Sequence, residues 1–309
     1  MTEYLPEGRR LSERENITAL SNIRTLTQAA ASGAILEAPC AGCDAEHNMR
    51  VDLGKVRGII PRSEGAIGID DGSTRDIALI SRVGKPVCFK VLRIDETGGT
   101  PVAILSRKAA QEEAQENYIS GLCPGDVIGA RVTHLEQFGC FVDIGCGIAS
   151  MIPIDAISVS RIIHPANRFS VGSDIYAVVK GREDGHICLT HKELLGTWIE
   201  NANRFSVGVT VPGIVRSIED YGIFVELAPN LAGLAELKSS IRVGDCACVY
   251  IKAIIPEKMK IKLIIVNCCD DGCVPIDTPY FITGGHIDKW VYSTPGAPKY
   301  ISSEFSDTQ

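Results

Sequence analysis

The chain has 309 residues, of which 45% are hydrophobic and 22% charged, a composition typical of a globular protein with room for two or three domains. Its formal net charge of −7 argues against a protein that coats duplex DNA by bulk charge, and no apolar run approaches the roughly 18 residues of a membrane helix. The charged N-terminal sequence argues against a secretory signal, so the 12 cysteines are expected to be reduced thiols of a cytoplasmic protein.

The predicted elements begin with an N-terminal helical segment, residues 1–34, whose helix spans 12–32 and ends at Gly33. Ser106 and Thr190 each follow an apolar run and are predicted to cap a linker helix. The remaining segments are a degenerate first repeat (35–106), a linker helix (107–120), a second repeat (121–190), a second linker helix (191–204), a third repeat (205–267) and an aromatic-rich C-terminal extension (268–309).

Internal repetition is the strongest signal in the sequence. Residues 124–144 and 207–227 align at a constant offset of 83, so that Phe138-Gly139-Cys140-Phe141-Val142 falls on Tyr221-Gly222-Ile223-Phe224-Val225. A fainter copy of this motif starts at Arg50. A Val-Gly pair precedes a later strand in all three copies: Val83-Gly84, Val171-Gly172 and Val243-Gly244. Agreement in register among three segments predicts a triplicated unit.

Each unit contains five short stretches in which apolar and polar residues alternate, bounded by Gly, Pro, Asp and Asn. In the second unit these predicted strands lie near 126–135, 138–144, 148–153, 174–181 and 186–190. Five strands of this length suit a small closed barrel of the OB type, which leaves no exposed sheet edge. The predicted fold class is therefore all-β with helical linkers, built from three tandem five-stranded OB barrels.

The aromatic pairs Phe138/Phe141 and Tyr221/Phe224 are the most informative residues. Residues three apart on a regular strand point to opposite faces, so we expect a bulge, permitted by Gly139, to place both rings on the outer face. Two interpretations are open at this point. The rings pack beneath a neighbouring loop or unit, or they form a platform on which unpaired bases stack, worth about 1–3 kcal/mol per base.

Basic and imidazole side chains on the adjoining predicted strands favour the second interpretation, because they could follow a phosphate backbone. In the second unit these candidates are Arg131, His134, Lys180, Arg182 and His186. In the third unit they are Arg216, Lys252, Lys258, Lys260 and Lys262.

On these motifs the units resemble the RNA-binding repeats of the bacterial ribosomal protein S-one family over about residues 35–266. The resemblance implies OB barrels that bind single-stranded RNA in translation or mRNA handling, with messenger RNA and the small ribosomal subunit as partners. The polar half of the family's site is altered, since Pro61, Pro153 and Glu236 stand where many members have His. This departure keeps an alternative open: a protein-interaction scaffold whose barrels no longer bind RNA.

The first repeat departs furthest from the family pattern. His47 and Arg50 replace the two rings, and Val102 replaces the basic residue near the last hairpin. We therefore expect the second and third repeats to bind RNA and the first to dock to protein.

No enzyme or cofactor signature is found, so no catalytic activity, cofactor or metal is predicted. Cys40 and Cys43 resemble half a zinc site that Cys268, Cys269 and Cys273 could complete, but ordinary thiols are favoured. The Asp-Asp-Gly sequences at 70–72 and 270–272 are interpreted as turns. Oligomeric state is left open.

The C-terminal extension contains six of the chain's 18 aromatic residues, a density that does not suit a free tail. It is predicted to fold as a small hairpin against the third barrel. Trp290 or Tyr292 could alternatively extend the RNA track.

Overall fold

The structure is a computed structural model and describes residues 4–97, 101–183, 185–239, 241–268 and 279–306. The chain packs as two compact units. The first unit comprises Met1–Leu122 with Asp143–Ala149, and the second comprises Cys123–Val142 with Ser150–Gln309.

The first barrel follows two short helices. The helices and strands of this part of the chain are α1 (Arg14–Leu20), α2 (Ile23–Ser32), β1 (Leu36–Cys43), β2 (Met49–Asp52), β3 (Arg57–Ile60), α3 (Ile77–Ile80), β4 (Pro86–Asp95), β5 (Val102–Ser106) and α4 (Arg107–Asn117), with 3-10 turns at Arg62–Glu64 and Ile119–Gly121.

The single helix expected over 12–32 is in fact two helices. Asn22 interrupts it: its backbone is extended, and its side chain accepts a hydrogen bond from the amide of Thr25 to cap α2. Gly33 ends α2 in the left-handed conformation, with φ of 67°, as predicted. Ser106 caps α4 as predicted, accepting from the amide of Ala109 at 2.8 Å.

Strand alternation fills the first barrel with apolar side chains such as Met49, Ile60 and Phe89, all fully buried. The N-terminal segment is joined to the start of α4 by a buried ion pair, in which Arg107 Nε lies 2.6 Å from Glu7 Oε1. Arg82 also reaches Glu7, at 3.1 Å. A buried charge must be paired to be tolerated, so Glu7 is part of the fold of this unit.

The second barrel reproduces the predicted strands to within two residues at each end. Its elements are β6 (Val127–Glu136), β7 (Gly139–Asp143), β8 (Ala149–Pro153), α5 (Ile154–Ile157), β9 (Asp174–Glu183) and β10 (His186–Thr190), with a 3-10 turn at Pro165–Asn167.

The second linker differs from its prediction. The expected continuous helix over 191–204 is a 3-10 turn (Lys192–Leu195) and a short helix, α6 (Trp198–Ala202), separated by Gly196 at φ of 77°. Thr197 caps α6 in a capping box with Glu200. The expectation that Thr190 is the cap is wrong, because its hydroxyl bonds Glu193 at 2.7 Å instead.

The third barrel and the C-terminal extension complete the chain. Their elements are β11 (Thr210–Glu219), β12 (Gly222–Ala228), β13 (Leu231–Ala235), β14 (Cys246–Ile255), a 3-10 turn at Pro256–Lys258, β15 (Lys260–Cys268), β16 (Lys289–Val291) and β17 (Ser302–Glu304). Strands β16 and β17 form the small hairpin predicted for the extension, and its Trp290, Tyr292 and Phe305 are buried in one core with the third barrel.

Within the described residues the strands close into three five-stranded barrels, which confirms the predicted fold class. The first is ordered β1-β2-β3-β5-β4, the second β10-β8-β7-β6-β9 and the third β11-β12-β13-β15-β14. All three therefore share the order of strands one, two, three, five and four around the barrel, with the third and fifth strands parallel where they pair.

No helix in the described ranges is long and apolar enough to cross a membrane. Within those ranges, no group of three or more His, Cys, Asp and Glu side chains is placed to hold a metal ion. Cys40 and Cys43 both lie on β1, while Cys269, Cys273 and the second Asp-Asp-Gly sequence fall outside the described residues.

Candidate nucleic-acid interface

Two aromatic rings meet on the outer face of the second barrel. Phe138 lies in the turn between β6 and β7 and is 56% exposed, and Phe141 follows on β7, half-buried. Their ring centroids are 5.9 Å apart at 89°, an edge-to-face contact. His134, on β6, adds a third ring 6.3 Å from Phe141.

The third barrel repeats this arrangement. Tyr221, in the turn before β12, is 69% exposed, and Phe224 on β12 is half-buried. Their centroids are 6.1 Å apart at 90°. The expected sharing of one face by the two rings is thus observed in both barrels, and the first ring of each pair is not sealed beneath neighbouring chain. We call each pair an aromatic platform.

The rings share a face for a different reason from the one predicted. In the third barrel the register shift lies on β11, between Val215 and Ser217, while β12 pairs without interruption from Gly222 to Phe224. The expected bulge between the two rings is therefore wrong for this barrel. Tyr221 reaches the outer face because it lies in the turn, where strand alternation does not apply.

Glycine follows the first ring because the third strand approaches closely. A Cβ at Gly139 would lie 2.6 Å from the carbonyl oxygen of Ile152. One at Gly222 would lie 2.6 Å from that of Ala235, and Gly222 also has φ of 153°. Both contacts are with backbone, which cannot move aside as a flexible side chain can.

An outward row of side chains links the third-barrel platform to the basic strands. Cross-strand register places Phe224 beside Leu234, and Leu234 beside Lys262. Two strand spacings separate Phe224 from Lys262, about 10 Å. Leu234 was missed by sequence reasoning, although alternation along β13 marks it as outward-facing. In the second barrel Met151 and Cys188 pair in the same parallel way.

The fourth strand supplies an equivalent lysine in both barrels. Lys180 is the extra residue at a bulge in β9, and Lys252 is the extra residue at the corresponding bulge in β14. Both side chains are exposed. This match was hidden in the sequence because the two lysines are 72 residues apart, while the platforms are 83 apart.

The other predicted cations are distributed unevenly. Arg131 makes a bidentate pair with Asp174, at 2.8 and 3.1 Å, and His134 lies 2.7 Å from Glu136. The exposed members are Arg182 and His186 on the β9–β10 hairpin, Lys258 in the 3-10 turn, and Lys260 and Lys262 on one face of β15.

Arg216 is not in the predicted groove. Its side chain is 11% exposed, and its Nε donates to the fully buried carboxylate of Glu226. Arg168 donates to the same carboxylate. Sequence reasoning could not see this pairing because Arg168 and Glu226 are 58 residues apart.

The first barrel lacks a platform, as its sequence indicates. His47 lies in the turn with φ of 63°, and its ring reaches Asp76 at 3.4 Å. Asp76 also forms an ion pair with Arg62, whose Nε lies 2.6 Å from Asp76 Oδ1. Arg50 is exposed beside Ile59, and the bulge residue of the fourth strand is Leu92 rather than lysine. Val102 begins β5 opposite Asp95.

Comparison with known families gives the second barrel its assignment. The model of the S1 (S-one) RNA binding domain matches residues 123–191. The second barrel is similar to an S1 RNA binding domain over all five of its strands. Its boundaries in the match include both the platform on β6–β7 and the basic hairpin of β9–β10.

Relatives of the chain extend the similarity beyond this match. The chain is 32% identical over 195 residues to small ribosomal subunit protein bS1 of Staphylococcus aureus, covering 60% of this chain and 47% of that protein. It is 30% identical over 232 residues to bS1 of Leuconostoc lactis, covering 69% and 52%. The chain thus spans about half the length of these curated relatives, and the resemblance to the ribosomal S-one family is confirmed.

A solved structure also overlaps much of the chain. It is a multidomain protein with nucleic acid binding domains from Streptococcus pneumoniae, 13% identical, with a TM-score of 0.24, covering 78% of this chain and 75% of that one.

Proposed function

We propose that the second and third barrels bind single-stranded RNA, with bases stacked on the two aromatic platforms. The observation that carries the proposal is the repeated geometry: an edge-to-face ring pair, exposed at its first member, occurs in both barrels. Stacking on aromatic rings accepts any base, because every base has a π-face, so affinity without strict sequence preference is expected.

The phosphate backbone is assigned to the exposed cations. Lys180, Arg182 and His186 serve the second barrel, and Lys252, Lys260 and Lys262 serve the third. Each phosphate that is neutralised contributes about −0.7 to the slope of log affinity against log salt for single strands. Arg131 and Arg216 are left out of this role because carboxylates already pair with them.

The S1 domain match and the bS1 relatives support a place in translation or mRNA handling, with the small ribosomal subunit and messenger RNA as partners in the cytoplasm. The proposal includes no catalytic step, since the interface needs only stacking and charge. The first barrel is proposed to dock to protein, because His47 and Arg62 are both held by Asp76 where the other barrels expose rings.

Labelled single-stranded RNA tests the proposal by fluorescence anisotropy. In the double variant Phe141→Ala, Phe224→Ala we expect the affinity to fall by about 30-fold or more, because each lost stacking contact costs about 1–3 kcal/mol. Tyr300→Ala removes an exposed aromatic ring of the C-terminal extension and is the matched control.

Binding of the double variant at the parent's affinity would exclude stacking on these rings. A parent protein that shows no salt-dependent binding of single-stranded RNA would favour the scaffold alternative, which the acidic net charge and the altered polar residues support.

A further inference from the structure

A buried charge cluster joins the second and third barrels within the second unit. Arg168 belongs to the connection between β8 and β9, and Glu226 lies on β12; their side chains are 2% and 0% exposed. Arg216 completes the cluster from β11. Breaking a buried pair leaves an uncompensated charge, so separating Arg168 from Glu226 would be costly.

Asn230 forms a second link at the turn between β12 and β13. Its side-chain oxygen accepts from the amide of Val159 at 2.9 Å. Its side-chain nitrogen donates to the carbonyl oxygens of Lys192 and Gly196, at 2.8 and 2.9 Å. The residue is fully buried, and every one of these partners belongs to the second barrel's connections or the linker. The β12–β13 turn of the third barrel is therefore held by three hydrogen bonds that join Asn230 to the second barrel's connection and the linker.

The C-terminal extension bonds to both barrels. Gly285 and Ile287 pair with the chain around Gly125, at the entry of the second barrel. A few residues later Tyr292 donates to the carbonyl of Asn230 at 2.6 Å, and Thr294 donates to that of Pro256 at 2.6 Å. One segment thus bonds to both barrels, and its Trp290, Tyr292 and Phe305 share one core with residues of both.

A cluster of three rings adds to the link between the extension and the second barrel. Tyr280, from the extension, lies 3.0 Å from Nε2 of His191 and packs edge-to-face on both His191 and Tyr176. The other ring nitrogen of His191, Nδ1, lies 2.8 Å from the carbonyl oxygen of Ile157. Both nitrogens of a fully buried imidazole are therefore occupied.

We infer that the second and third barrels form one rigid receptor that holds its two platforms at a fixed separation, with Arg168 and Asn230 as positioning residues. The inference rests on the proposed function for its ligand: a continuous single-stranded RNA long enough to reach both platforms. A fixed separation lets the second contact form without first ordering the two barrels, so long strands gain affinity over short ones.

The heptapeptide Ala-Asn-Arg-Phe-Ser-Val-Gly supplies a matched control. It occurs at 166–172, where its arginine is Arg168, and again at 202–208, where its arginine is the exposed Arg204. Arg168→Gln removes one contact between the barrels, and Arg204→Gln makes the same chemical change in the same local sequence.

The experiment has two readouts on the full chain. Energy transfer between dyes introduced as unnatural amino acids at Arg161 and Glu257, one in each barrel and both exposed, reports their separation. Anisotropy with single-stranded RNA of about 8 and about 24 nucleotides reports binding to one platform and to both, since one OB fold covers about 4–16 nucleotides.

The parent and Arg204→Gln are expected to give one narrow transfer distribution and a long-strand affinity at least about tenfold above the short-strand affinity. The double variant Arg168→Gln, Asn230→Ala is expected to broaden the distribution and to lose about tenfold in long-strand affinity while its short-strand affinity stays within about twofold. If the double variant no longer binds the short strand, the milder pair Arg168→Lys, Tyr292→Phe is judged by the same criteria.

A broad distribution in the parent would overturn the inference, as would a double variant that keeps both the narrow distribution and the long-strand gain. A narrow distribution in a parent that binds neither RNA would leave the rigid pair standing and would reject the proposed function instead.

Discussion

The first and third barrels have the same strand order but different outer faces. In the third, Tyr221 occupies the turn, Phe224 the second strand and Lys252 the bulge of the fourth strand. In the first, the same three places hold His47, Arg50 and Leu92. The barrel therefore fixes three positions on its outer face, and the side chains placed there decide what that face can bind.

Giving the third barrel the residues of the first barrel tests directly whether these positions decide RNA binding. The double variant Tyr221→His, Phe224→Arg gives the third barrel the first barrel's residues. We expect single-stranded RNA affinity to fall by about 30-fold or more, since two stacking rings at about 1–3 kcal/mol each are lost. Anisotropy measures the loss, and circular dichroism checks the fold. The reciprocal change His47→Tyr, Arg50→Phe is the control and should cause no loss; equal losses in both would end the distinction between the barrels.

The residue after the turn position also differs between the two barrels: Gly222 follows Tyr221 in the third, whereas Asn48 follows His47 in the first. Gly222→Ala should lower the free energy of unfolding by about 3 kcal/mol, at the upper end of overpacking costs, since the new Cβ would meet the Ala235 carbonyl at 2.6 Å. Urea denaturation measures the change. Gly129→Ala, on β6 with open space around it, should be nearly neutral. An unchanged free energy of unfolding in Gly222→Ala would mean that β13 can move away from the new Cβ.

The residue that directly follows the fifth strand also differs between the first and second barrels. Arg107 in the first unit is buried against Glu7, whereas His191 in the second is buried as a neutral ring beside Tyr280. Burial lowers the pKa of His191 to about 4, below the value near 6.5 in an unfolded chain. Between these values the unfolded state binds more protons, so this contribution to stability is complete above pH 6.5 and is lost as the pH falls towards 4.

We therefore expect His191 to cost the protein about 2 kcal/mol of unfolding free energy between pH 7 and pH 4.5. Urea denaturation of the parent and of His191→Gln at both pH values isolates this share, because the variant cannot titrate. The control variant His186→Gln removes an exposed imidazole from the surface of the same barrel instead of a buried one. A His191→Gln profile parallel to the parent's would show that the ring does not resist protonation.

The bulge residue of the fourth strand is lysine in the third barrel and leucine in the first. Lys252→Leu copies Leu92 of the first barrel and should weaken RNA binding a few-fold, with the log–log salt slope reduced in magnitude by about 0.7. Titrations at several salt concentrations measure the slope. Lys55→Leu, an exposed lysine of the first barrel, should leave it unchanged. An unaltered slope in Lys252→Leu would remove this lysine from the phosphate path.

Much of this fold is readable from the sequence because strand alternation and repeated glycines are local signals. The predicted strands of the second barrel and the cap at Ser106 were correct for that reason. The second linker was predicted wrongly as one continuous helix. Gly196 ends the first helical turn there, and Trp198 is buried in the core of the third barrel. Tertiary packing decided that segment, and helical propensity did not.

In the candidate site, too, the local features could be predicted from the sequence and the tertiary contacts could not. The ring pairs follow from a motif, and their shared face was predicted, although its cause is the turn and not a bulge at the glycine. The status of Arg216 could not be predicted, because it depends on Glu226 being buried and on Arg168 arriving from another barrel. The equivalence of Lys180 and Lys252 depends on strand register, which a single sequence does not reveal.

The ion pair between Glu7 and Arg107 has a practical consequence for fragment design. The two side chains are 4% and 5% exposed, and Glu7 precedes the first helix of the unit. A recombinant first barrel begun after residue 10 would bury a guanidinium group without its counter-ion, at a cost of about 3–5 kcal/mol. Such a fragment should retain the short stretch upstream of α1, even though its described residues, 4–13, contain no strand of the barrel.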